Sequence, residues 1–283
     1  MYELTQLRKG VIFSINGVQT KLSELSDDLF LMLGDLLSIH TLHGFKCGFS
    51  KTNRPYYLLM TERKDMYNTF KAVDLVHREA DMYEQQCEEI RSATTKTAKV
   101  KFQKLYGINE KSLFSLLPNF DIFHQTFIDF MHLLLEGICR RELHMLFKTL
   151  DEKRLVTRKQ LTNTIKNFPL ASFELKYAPS STFEIQKFDV NNPIPLNAIQ
   201  MLYLIKNLPF IIGLINDAVC DLAEWKVFLL LHSIVSICFA SEADAETVVQ
   251  LKDATELHNE LYAKTYGTNS QIPKFLLLLL LSP

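Results

Sequence analysis

Two groups of residues carry side chains whose type and spacing could do chemistry. The first is Asp35, in Gly34-Asp35-Leu36-Leu37, just after the apolar run Leu29-Phe30-Leu31-Met32-Leu33. A carboxylate at the C-terminal edge of a strand is a common place for a ligand to a hard cation such as Mg²⁺, because sites form in the crevice outside strand ends. Asp also caps helix N-termini, where its oxygens take up free backbone N–H groups, and on spacing alone this is the simpler reading. The second group is Asp129, His132, Glu136, Arg140 and His144, spaced three, four, four and four apart. The periodicity predicts a helix over roughly 127–148 with these residues as one polar stripe on an apolar cylinder. Such a stripe either grips a metal, a phosphate or a catalytic loop through Asp129-x-x-His132, or is a ladder of local ion pairs, Glu136 to Arg140 above all.

Other candidate chemistries are thinly represented. His40 and His43 lack an i, i+4 metal spacing, and neither they nor His258 have a Cys or Glu at a recognised ligand distance, so they read as packed or solvent histidines. There is no Gly-rich phosphate loop, no Gly-x-Ser-x-Gly elbow and no Cys–His nucleophile arrangement. Five cysteines, at 47, 87, 139, 220 and 238, are widely spaced and never form Cys-x-x-Cys. They read as reduced, mostly buried thiols, and no structural zinc is expected.

The elements that must hold these residues fall into two kinds. Residues 11–15, Asn16-Gly17 and 18–22 have the pattern of a strand, a hairpin turn and a second strand, with 29–33 as a third short strand and a helical pattern following Asp35. The three strands are expected to form one small sheet with Asp35 at its edge. Beyond about residue 61 the apolar spacing becomes helical, over 66–90, 127–150, 196–215 and 219–239. The polar, basic stretch 91–105 and the proline-bearing stretch 168–195 read as connecting loops. The expected fold class is mainly α with a small β part, divided into a β region at 1–60 and a helical region at 61–283.

With 283 residues, 47% of them hydrophobic and 22% charged, the chain can bury one large core or two modest ones. Lys plus Arg total 31 against 32 acidic residues. That balance lacks the net positive field of a self-sufficient nucleic-acid binder, so any DNA contact is expected to be local. The longest apolar run, 275–281, is far shorter than the roughly 20 residues a membrane span needs, and no signal sequence opens the chain. A nuclear or cytoplasmic location is expected, with no membrane partner. The apolar close of the chain and its start near a strand suggest that a partner segment is missing, or else that the final run packs as a helix.

Taken in order, several segments resemble one family. Gly34-Asp35-Leu-Leu-Ser-Ile-His40-Thr-Leu-His-Gly44-Phe45, Pro55-Tyr-Tyr-Leu-Leu-Met60, Tyr106-Gly107-Ile108, Ser112-Leu113 and Asp129-Phe-Met-His132-Leu-Leu-Leu-Glu136-Gly137 are similar to the middle of transposases from CACTA-like (En/Spm-type) DNA transposons. So are Leu208-Pro209, Trp225 and Pro273-Lys274. The resemblance implies a partial RNase H-like sheet carrying a large helical insertion. It also implies, in the intact family, three acidic residues holding two Mg²⁺ ions that activate water and then a DNA 3′-hydroxyl. By this resemblance Asp35 matches the second catalytic acid and a Mg²⁺ ligand, and Asp129, His132 and Glu136 match the signature of the insertion.

The departures from the pattern bear on activity. The family's first acid lies upstream of a hairpin like 11–22, and its third, a Glu, lies beyond a His-rich segment after Pro273-Lys274. Tyr56 and Leu59 stand where relatives tend to carry cysteines, and a leucine run stands where they carry histidines. The expectation is therefore a transposase-derived remnant without independent DNA cleavage or strand transfer, and without a cofactor of its own. Its expected partners are DNA through local contacts, a protein, or a second copy. The alternatives are a domesticated helical interaction module and a Mg²⁺-dependent transposase completed by sequence elsewhere.

Overall fold

The computed structural model describes residues 12–15, 18–21, 31–47, 51–117, 119–172, 174–180, 183–185 and 194–281. They fall into two compact units, one from residues up to Lys64 plus Leu75–Asp129, the other from Asp65–Asp74 plus Phe130–Pro283. The molecule is mainly helical with a small β part. No helix among the described residues is long and apolar enough to cross a membrane.

In the first unit, β1 (Ile12–Ile15) and β2 (Val18–Lys21) pair antiparallel with Ile15 opposite Val18, the register that a two-residue connection demands. Residues 11, 16, 17, 22, 29 and 30 of the expected strands and turn lie outside the described residues. Among the described residues the expected single three-stranded sheet does not form. β3 (Met32–Gly34) pairs instead in parallel with β4 (Thr126–Ile128), a strand from a stretch that reads as helix in the sequence. Phe127 and Ile128 are strand formers, and their helical spacing from Met131 onward hides the break.

The helix α1 (Leu36–Leu42) follows β3 directly. The basic stretch read as a loop is helical too: α2 (Ala80–Arg91) packs on α3 (Lys96–Tyr106), with only 92–95 between them. Thr95 caps α3 through Ala98 N, and Gly107 ends it at φ 74, where a Cβ would overlap the Arg54 carbonyl. The core gathers Ile39, Phe45, Tyr57, Tyr83, Ile90 and Phe123. Arg78 lies within it, 5.1 Å over the Phe45 ring, donating to Tyr57 O at 3.1 Å, Gln86 Oε1 at 2.6 Å and Tyr106 O at 3.0 Å. Those bonds to carbonyl oxygens make a buried guanidinium tolerable. Tyr56 and Leu59 are buried as well.

The second unit opens with a π-helical stretch, Met131–Ile138, that runs into α4 (Cys139–Glu152). Then come α5 (Arg158–Asn167), α6 (Ala198–Gly213), α7 (Ala223–Cys238), α8 (Ala245–Tyr266) and the short α9 (Lys274–Leu278). Thr157–Gln160 and Asn197–Gln200 form reciprocal capping boxes at the starts of α5 and α6. Of the stretch 66–79, read as helix, only Ala72–Asp74 forms a 3₁₀ turn. The apolar run 275–279 packs as the final helix and is buried throughout.

Candidate functional site

Gly34 and Ile128 are partners in the parallel ladder, and the next residue on each strand is an aspartate: Asp35 and Asp129. The Asp129 N–H donates to Gly34 O at 3.0 Å, so the two carboxylate-bearing residues stand side by side beyond the C-terminal ends of adjacent parallel strands. Both are half-buried. Asp35 is also the N-cap of α1: its Oδ1 accepts from Leu37 N at 2.9 Å and Ser38 N at 3.0 Å, and its Oδ2 from Ser38 Oγ at 2.6 Å. The two sequence readings of Asp35, strand-end acid and helix cap, therefore hold together.

Asp129 is not on a helix. It directly follows β4, and the polar stripe starts only at His132. His132 Nε2 lies 3.7 Å from Glu136 Oε2, and Arg140 Nη2 lies 3.9 Å from Glu136 Oε1 while donating to Leu196 O at 2.9 Å. This is the ladder of local pairs, weakened by partial exposure to a few tenths of a kcal/mol per pair. His144, expected at the end of the stripe, is buried in the unit instead. Each step of four residues turns about 40° around an α-helix, so two steps on from Glu136 the stripe has rotated His144 toward the packed side.

Lys274 and Gly137 meet across 137 residues of chain. The Lys274 ammonium donates to the His132 carbonyl, and its aliphatic stem crosses Gly137 so closely that a Cβ there would overlap it. Glycine at 137 thus leaves room for the lysine that ties α9 to the π-helical stretch. The sequence contained both motifs, yet no signal linked them. A second pairing had no local signal at all: Glu142 and His258 are wholly buried and hydrogen-bonded at 2.7 Å, with Asn259 next to them donating to Phe275 O at 2.8 Å. Glu256 accepts from Ala72 N at 2.9 Å, a cap to the short 3₁₀ turn.

His40 and His43 are packed in the first unit. His43 bridges Ser112 Oγ at 3.2 Å and Thr126 Oγ1 at 3.0 Å, and His40 Nδ1 faces Lys46 O at 3.1 Å. Burial lowers both imidazoles to about 4, so they are neutral at pH 7.

A two-metal site needs several oxygens per ion from a close set of acids. Among the described residues no three His, Cys, Asp or Glu side chains are grouped to hold a metal, and the Asp35 oxygens already accept three hydrogen bonds. The residues described do not fit a pair of Mg²⁺ ions. No protein-family model, curated protein or solved structure matches this chain.

Proposed function

We propose that this chain derives from a CACTA-like DNA transposase and that its first unit keeps part of an RNase H-like sheet, without independent strand cleavage or transfer. The observation that carries the reading is the placement of Asp35 and Asp129 at equivalent positions past two paired parallel strands. Nucleotidyl-transfer chemistry needs acids brought together at strand ends, and a helix cap alone would not require the second aspartate. The outer face of the same strand pair adds support. Leu33 and Phe127, ladder partners, are 65% and 49% exposed, whereas parallel strands ordinarily have both faces covered. An apolar face left bare on a parallel strand pair is what a sheet without one of its covering layers would show.

Two acids cannot organise two Mg²⁺ ions, so the purified chain with Mg²⁺ or Mn²⁺ is expected neither to nick nor to join labelled duplex DNA. Metal-dependent cleavage that Asp35→Asn or Asp129→Asn abolishes would overturn this and restore the complete enzyme. Reading the genomic frame on both sides for a further strand-borne Asp and a Glu tests the origin separately.

A second reading, a helical interaction module, draws on Phe210 and Leu214. They lie four residues apart at the end of α6 and are 66% and 68% exposed, a small apolar step of the kind partner helices use.

A further inference from the structure

We propose that the outward face of α3, Lys96–Tyr106, is a docking surface for the phosphate backbone of nucleic acid. The helix holds four lysines and no acid. At 100° per residue Lys96, Lys104 and Lys101 fall within one 140° arc with Thr97 and Val100, opposite the side on which Phe102 and Tyr106 pack against the core. All three lysines are exposed, and no ion pair involves them among the described residues.

Most of the neighbouring acids already have partners other than these three lysines. On α2, Glu84 pairs with Lys111 at 2.6 Å, Glu88 with Arg91 at 2.6 Å, and Glu89 accepts from the Tyr106 hydroxyl. At the far end of α3, where Asn53 N donates to Lys104 O, Glu62 is shared between Arg54 at 3.8 Å and Lys64 at 3.3 Å. Lys99 belongs to a different surface: it lines a cleft of about 440 Å³ with Glu88, Arg91 and Glu110. What is left is a cationic strip of three unpaired lysines. Lys96 to Lys104 spans about 12 Å of helix. Duplex DNA presents on the order of seven phosphates over that length. A chain with no net positive charge can thus still bind a polyanion, through one helix that carries lysines and no acid. The inference uses charge and helix geometry alone and stands apart from the reading of the strand-end carboxylates.

The test is fluorescence anisotropy of the full chain with a labelled 30-base-pair duplex of mixed sequence, across a salt series. The K96Q/K101Q/K104Q variant is compared with a control, K159Q/K166Q/K206Q, that removes the same charge from exposed lysines of the second unit. Circular dichroism checks that both variants keep their helices. The expected result is binding by the parent, a loss of about tenfold or more in the α3 variant, and a log K against log salt slope shallower by about 2–3. The control should change affinity less than about twofold. Equal losses in both variants, an unchanged α3 variant, or a parent that self-associates in a salt-dependent way without binding the duplex would each overturn the proposal.

Discussion

Glu142 Oε2 lies 2.7 Å from His258 Nε2 with both side chains fully buried, while Glu142 Oε1 takes no hydrogen bond from any described group. A half-satisfied buried carboxylate depends on its one partner, because removing that partner leaves the whole desolvation penalty standing. His258→Ala is therefore expected to cost about 3 kcal/mol or more in urea unfolding, whereas Glu142→Leu combined with His258→Leu should recover much of the loss. A single substitution costing under about 1 kcal/mol would mean that water or a rearranged side chain satisfies the carboxylate. Asp35 gives a milder case. Its cap is replaceable by another short acceptor, so Asp35→Asn should be nearly neutral and Asp35→Ala should cost about 1 kcal/mol. Equal costs for the two would show that charge, not capping, is what Asp35 supplies to stability. The position of Asp35 after a strand and its place as a helix cap were legible in its neighbours, the apolar run before it and the helical pattern after it. The Glu142–His258 pair was not, since 116 residues separate its members and nothing local marks either as buried.

At the level of elements, the π-helical stretch decides what sequence periodicity can and cannot reveal. Apolar residues at three- and four-residue intervals gave a helix over 127–148, and the structure has strand, π-helix and α-helix in that interval. The period survives because Phe127 and Ile128 happen to fall in phase with Met131 and Leu135, so the strand has no separate signature. His132, Glu136 and Arg140 were readable as a ladder because neighbours three or four apart stay close in either helix type. His144 was not, because successive steps of four residues drift about 40° each around an α-helix. The α3 stretch fails for another reason: lysine and threonine at 91–105 read as loop when packing is ignored, but half-buried Phe102 and Tyr106 anchor one side of it. The Lys274–Gly137 contact makes a prediction here. Gly137→Ala places a methyl group where the flexible Lys274 stem runs, so it should push the stem aside and cost about 1 kcal/mol, the worth of the lost bond to the His132 carbonyl. Lys274→Ala should cost about the same, and adding it to Gly137→Ala should cost little more; fully additive losses in urea unfolding would count against a shared cause.

For the whole molecule, the division into two compact units makes a prediction about acid. The first unit buries His40 and His43 as neutral rings, lowered by desolvation from 6.5 to about 4. In the unfolded chain both regain the ordinary value, so below pH 6.5 the unfolded state binds more protons than the folded one. The sign follows: the stabilising effect of neutral burial is fully present above pH 6.5, falls as pH drops through the window from 6.5 to 4, and is exhausted below it. Arg78, pushed down to about 10 by its burial, stays charged throughout this window and adds nothing to it. The two rings belong to the unit that also contains α2 and α3, while the chain's one tryptophan, Trp225, is buried in the other unit. Two probes can therefore be told apart without labels. On acidification from pH 7 to 4.5, far-ultraviolet circular dichroism should lose part of its helical signal while Trp225 emission keeps its native wavelength. His43→Gln, which retains hydrogen bonds to Ser112 and Thr126 without a titrating ring, should move the dichroism midpoint to lower pH and leave the tryptophan signal alone. Coincident transitions by both probes would show that the units unfold as one cooperative body, and a midpoint unmoved by His43→Gln would remove the histidine as the cause.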